Sequence, residues 1–296
     1  MPFTVMQLLC GLVVPAALAA IVAALLGALR AEAPWVWGLV LGAGFALAYW
    51  NLQTRPGWPP TANVLYLVFY FGVAAGILCF ADGLFRPRTV VRIIVLVIAW
   101  RVAVRLLVTP QIPRSISPTD AEMWIDLSSL VTAVWVMAFE FLAQRAPGAA
   151  APLVLGVIST ASAIILALGW HCLGSGAIAG SLGMICLVGL FMGVFAPRIP
   201  LWRGFCEGIV LLLLLVLIHA YFYTDDTLTP VQETWVAILA AAPLLALLGD
   251  LPILRDRKPS LRLAVRVIPV LIALGIICGA TIHDYVHSDQ SQQMEE

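Results

Sequence analysis

The residues whose chemistry stands out in this chain are ionisable side chains embedded in apolar sequence. Arg101 and Arg105 are spaced i to i+4 inside the run 89 to 108, so they share one helix face. At a 1.5 Å rise, Arg101 sits about 18 Å from the start of that run, where an arginine in a bilayer costs about 2.5 to 3.5 kcal/mol. Arg92 falls about half a turn round from Arg101 and close enough to the helix end to snorkel. The next apolar run supplies opposite charge. Asp126 and Glu140 are fourteen residues apart, which returns them to nearly the same face of a 3.6-residue helix, and Ser129 lies on that stripe. If the two runs form an antiparallel hairpin, Arg105 is expected level with Asp126 and Arg92 level with Glu140, with Arg101 lacking a partner at its own depth.

Two readings of this set compete. In one, the charges pair or snorkel and only fix helix register. In the other, Arg101 and Arg105, with Asp126, Ser129, Glu140 and the neighbouring Ser159 and Ser162, line a polar site for a small anionic solute or a lipid headgroup. Trp100 is placed to add a stacking wall, although one ring on a helix face is ordinary packing. A second constellation is the histidines. His283 and His287 share a face at i to i+4, and with His171, His219 and the acids Asp225, Asp226 and Asp284 they are weak candidates for a shallow metal site against the alternative of a polar tail. No motif for a cofactor is present and none is expected. The Gly174 to Gly183 run follows no strand and is not a phosphate loop.

Positioning these residues falls to apolar helices. Of 296 residues, 62% are hydrophobic and 11% charged, and the formal charge is zero, so a water-soluble core is excluded and nothing points to a nucleic-acid partner. The pattern predicts an all-α polytopic transmembrane bundle in one integral membrane domain, residues 1 to 296, whose partner is the lipid bilayer. About ten spans are expected: 4 to 29, 35 to 50, 64 to 85, 89 to 108, 121 to 143, 151 to 171, 176 to 196, 204 to 223, 231 to 250 and 261 to 282. With both termini outside, twelve of the sixteen Lys and Arg fall on the inner side, the charge bias of a bacterial inner membrane. Met1 to Gln7 carries no basic residue, which favours a first span over a cleaved signal, although Ala31-Glu32-Ala33 has the form of a cleavage site.

Local signals accompany the spans. Thr119-x-x-Glu122 and Thr229-x-x-Gln232 read as capping boxes, with Pro230 at a first helical position, and Trp124, Trp235 and other rings near span ends read as interfacial anchors. Asp82 is expected to pair with Arg86, and Glu207 to complement a helix N-terminus. Pro15, Pro243 and Pro269 fall inside apolar runs and are expected to kink them or free carbonyls. Gly38-x-x-x-Gly42, Gly176-x-x-x-Gly180 and Gly275-x-x-x-Gly279 permit close helix crossings. The six cysteines form no Cys-x-x-Cys pair and read as packing residues.

The Gly57-Trp58-Pro59-Pro60 loop, followed by the arginine-bearing fourth run, resembles uncharacterised multi-pass bacterial membrane proteins with a Trp-Pro-Pro outer loop, a resemblance that implies no activity. Drug/metabolite-type transporters resemble the chain only in span count. They are expected to have both termini inside and a visible duplication, and this chain departs from both. Three function classes therefore stand: a transporter or permease-like protein for a small anionic solute or lipid headgroup, a non-catalytic scaffold with a membrane-protein partner, and a membrane-embedded enzyme acting on a lipid-linked substrate.

Overall fold

A computed structural model describes residues 5–29, 33, 35–53, 64–85, 89–112, 116–145, 148–195, 202–223, 230–251, 254 and 258–293. Within them the chain is all-helical with no strand. The helices are α1 (Val5–Leu29), α2 (Trp35–Leu52), α3 (Val64–Phe85), α4 (Thr89–Val108), α5 (Pro118–Arg145), α6 (Ala150–Ile164), α7 (Leu173–Phe195), α8 (Glu207–Tyr223), α9 (Pro230–Ala246) and α10 (Pro259–Gln293). A π-helical turn, Ile165–Gly169, ends α6, another, Trp202–Cys206, leads into α8, and a 3-10 turn, Leu247–Asp250, ends α9.

Eight helical stretches are long and apolar enough to cross a membrane, which fits a multi-pass membrane protein. The two expected runs outside that set fail for different reasons. α4 carries three arginines, and the apolar part of the ninth run, Thr234–Asp250, is shorter than the other eight.

Position in the bundle follows from how each helix distributes its apolar residues. α8 is apolar all round, and every side chain from Gly204 to Val216 is buried, so it forms the central post. α3, α5 and α7 pack around it. α4 buries Arg92, Leu96, Trp100, Val104 and Leu107 on one face and leaves Val91, Ile94, Val95, Ile98 and Val102 exposed on the other, which places it at the edge. α10 is also peripheral, with Ile272 and Ile276 exposed.

α2 and α3 cross closely because Gly38 and Gly42 meet Gly76. A Cβ on Gly76 would stand 2.5 Å from the Gly42 Cα, so the helix backbones touch where side chains are missing. Gly176 plays the same part between α7 and α6, against Ala163 and Ala167. By contrast, Gly275 and Gly279 of α10 have no atom within 4 Å of an added Cβ.

Several local expectations are corrected. Ser117, not Thr119, caps α5: its hydroxyl accepts the Asp120 backbone N–H at 3.2 Å and donates to the Asp120 carboxylate at 2.7 Å, and Pro118 occupies the first turn. Glu122 is thereby released to face α4. Trp235 is buried, as are Trp37 and Trp170, and Trp124 packs on Tyr221 with ring centroids 4.6 Å apart. These rings pack between helices while lying near the helix ends. Thr229 and the Trp-Pro-Pro loop lie outside the described residues, as do most of the basic loop residues used for orientation.

Candidate functional site: two charged clusters on α4

α4 and α5 run antiparallel, and their shared register divides the ionisable residues into two groups about 20 Å apart along α5, the distance that fourteen residues span. The first group is buried. Arg92, 2% exposed, lies between three carboxylates brought by three different helices: Asp82 of α3 at 4.0 Å, Glu207 at the start of α8 at 2.8 Å, and Glu140 of α5 in direct hydrogen bond. All three acids are themselves buried. Gln144, one turn after Glu140, donates to its second carboxylate oxygen at 3.0 Å. Four helices thus converge on one guanidinium, which hydrogen-bonds Glu140 and lies within ion-pair distance of the other two carboxylates.

The second group faces outward. Arg101, 44% exposed, donates to Asp126 and stands 3.7 Å from Glu122, while Arg105, 64% exposed, pairs with Glu122 at 3.1 Å. Two arginines and two acids alternate along the α4/α5 seam, and their formal charges cancel. Arg101 is seven residues, about 10 Å, inside the end of α4. Exposed Ile98, Val102, Leu106 and Leu130 surround the seam, so a charged strip is set into an apolar surface.

Arg92 does meet Glu140, as the hairpin register predicts, but Arg101 is not partnerless and Arg105 takes Glu122 in place of Asp126. The signal for this register is in the numbering. Arg101 and Asp126 are equidistant from the middle of the α4–α5 connection, and so are Arg105 and Glu122. A shift of four residues, one helical turn, separates the expected pairing from the observed one. Asp82 and Arg92 are likewise symmetric about the α3–α4 connection, which accounts for Asp82 reaching Arg92; Arg86 lies outside the described residues. Glu207 follows a helix start, but its carboxylate is engaged by Arg92, a contact between distant helices that no spacing rule reveals.

The remaining site residues are elsewhere. Ser129 is buried on α5 and its hydroxyl donates to the Ile125 carbonyl at 2.7 Å. Ser159 and Ser162 are buried on α6, where Ser162 donates to the Ile158 carbonyl. Such bonds to the preceding turn consume the hydroxyl within its own helix. Trp100 faces the bundle interior, buried beside Leu96 and Val104.

The histidines are dispersed among different contacts. His219 is buried on α8, its ring stacked on Tyr223 at 5.3 Å. His171, in a left-handed backbone conformation at φ 53°, lies 6.4 Å from the Tyr285 ring, and His283 stands 3.5 Å from Asp284. Among the described residues no group of three His, Cys, Asp or Glu side chains is placed to hold a metal ion. Asp225, Asp226 and the His287 side chain lie outside them.

A third ionic group ties the end of α9 to α10. Arg266, 1% exposed, pairs with Asp250 at 2.6 Å, and Arg262 approaches the same carboxylate at 3.5 Å. Gly249 gives the Arg266 side chain room, since an added Cβ would strike its stem.

No family model matches the chain, and neither do the curated proteins or the solved structures compared with it.

Proposed function

We propose that this chain is a multi-pass protein of a bacterial inner membrane, with ten spans and both termini outside, that acts as a transporter or permease-like protein and engages a lipid headgroup at the α4/α5 seam. The observation that carries this reading is the exposure of Arg101, about 10 Å inside the end of α4, with Arg105 in the last turn and their acid partners beside them, in a surface whose other neighbours are apolar. Charged groups at that depth are costly in hydrocarbon, and a polar headgroup drawn down to them offsets the cost. A headgroup is favoured over a freely soluble anion because two cavities among the described residues, one between α5, α8 and α9 and one between α3, α4 and α8, are lined without any charged side chain.

The test uses single cysteines at positions 101, 105 and 129 in a cysteine-free background, labelled from each side with a membrane-impermeant thiol reagent. Labelling at 101 and 105 with protection at 129 is the expected pattern. Protection at 101 and 105 in folded protein removes the wet, headgroup-accessible seam and with it this reading.

A second reading, the scaffold with a membrane-protein partner, is favoured by the open Gly275-x-x-x-Gly279 face of α10. It predicts that G275I/G279I disperses an assembly seen by cross-linking in native membranes, and an unchanged cross-link pattern removes it.

A further inference from the structure

On the opposite flank of α5 from the charged seam, α5, α8 and α9 diverge around a cavity of about 510 Å³. Its walls are aromatic and aliphatic, with Trp124, Val131 and Trp135 from α5, Leu217 and Tyr221 from α8, and Trp170 after the π-helical turn of α6. Ser128 is among the few polar side chains in the lining, and no charged group is present. The size falls in the range of about 300 to 1,000 Å³ in which proteins hold small molecules.

Sequence on α9 creates the space. Ala237, Ala240 and Ala241 face the cavity with side chains too small to close it. Pro243, one turn on, cannot donate the amide that would bond the Leu239 carbonyl, and Trp135 reaches across to donate to the neighbouring Ala240 carbonyl at 2.9 Å. That bond holds the deep wall in place, since Trp135 is otherwise fully buried. The mouth is marked by the exposed lining residues Leu127, Ala237 and Ala241, which open sideways between α5 and α9.

The surroundings select the occupant. The cavity lies within membrane-crossing stretches of α5 and α8, so the medium at a sideways mouth is bilayer hydrocarbon. Water and charged solutes gain little from walls with so few polar groups and no charge. A flexible hydrocarbon chain gains the dispersion contacts that the aromatic walls offer. Trp124 and Tyr221, packed together near the start of α5 and the end of α8, present an indole and a phenol where a chain would meet its polar linkage, the preference such rings show at membrane interfaces.

We propose that this cavity binds one acyl chain of a membrane phospholipid, inserted laterally between α5 and α9. The site is separate from the charged seam, and its test does not depend on the headgroup reading. Full-length protein is reconstituted in phosphatidylcholine vesicles containing a phospholipid with a diazirine near the end of one acyl chain, photolysed, and digested for peptide mass spectrometry. The expected result is insertion at Trp135 and Leu217, deep in the cavity, alongside insertion at the outward-facing Ile98 and Ile272. Ala241→Trp, which plugs the mouth, is expected to lower Trp135 and Leu217 labelling severalfold while leaving Ile98 and Ile272 unchanged. Ala240→Leu fills the cavity with a smaller addition and gives the same selective loss if the tryptophan variant does not fold. Labelling confined to outward-facing positions in the unmodified protein, or cavity labelling unaffected in both variants, overturns the proposal.

Discussion

Replacing Arg92 with methionine keeps an unbranched apolar stem and removes the one cation that the described residues place among three buried carboxylates from α3, α5 and α8. Truncating one partner of a buried ion pair costs about 3 to 5 kcal/mol, because the opposing charge stays buried without compensation. Arg101→Met is the matched control, since Arg101 is 44% exposed and its acid partners are about half exposed or more. Exposed pairs are worth about 0 to 1 kcal/mol. At about 2 to 4 °C per kcal/mol for larger domains, R92M is expected to lower the midpoint of thermal unfolding by roughly 6 to 20 °C and R101M by at most about 4 °C. The assay is thermal unfolding of both variants in the same detergent at one scan rate, because unfolding of such proteins is often under kinetic control. A charge-count variant sharpens the test: Glu207→Gln removes one of three acids and leaves the guanidinium paired, so it is expected to cost far less than R92M. Equal losses in R92M and R101M, or a larger loss in E207Q than in R92M, would refute the assignment of Arg92 as the hub that binds four helices together.

Two further outcomes follow from packing and from the third ionic group. Gly76→Ala forces a methyl against the Gly42 backbone and is expected to destabilise by about 1 to 3 kcal/mol, whereas Gly275→Ala, with open space around it, is expected to leave the unfolding midpoint unchanged or slightly raised. Arg266→Met leaves the Asp250 carboxylate with Arg262 alone at 3.5 Å, so it is expected to cost less than the about 3 to 5 kcal/mol of a fully stranded charge but more than Arg262→Met, whose guanidinium is partly exposed; proteolysis between α9 and α10 in detergent provides a second readout.

The helices and their order were legible in the sequence because a bilayer demands long apolar runs, and such runs announce themselves without any knowledge of tertiary contacts. All ten expected runs correspond to helices, with most ends differing by a few residues and α10 continuing to Gln293, eleven residues past the expected end. The presence of costly ions on α4 and α5 was equally plain, since each charge interrupts an apolar stretch. The Arg92–Glu140 level was legible from hairpin register, whereas the pairing at the other end of the seam differs from the expected one by a helical turn, which depends on how the two helices settle against each other. Other features were decided by tertiary structure alone. Glu207 reaches Arg92 only because α8 passes through the centre of the bundle, and α8 is central because every face of it is apolar, a property that says it will be buried and not beside what. The cavity between α5, α8 and α9 is a property of the gap between helices. Small residues on α9 and bulky rings on α5 and α8 are visible in the chain, but whether they interdigitate or stand apart depends on interhelical distances that periodicity does not encode.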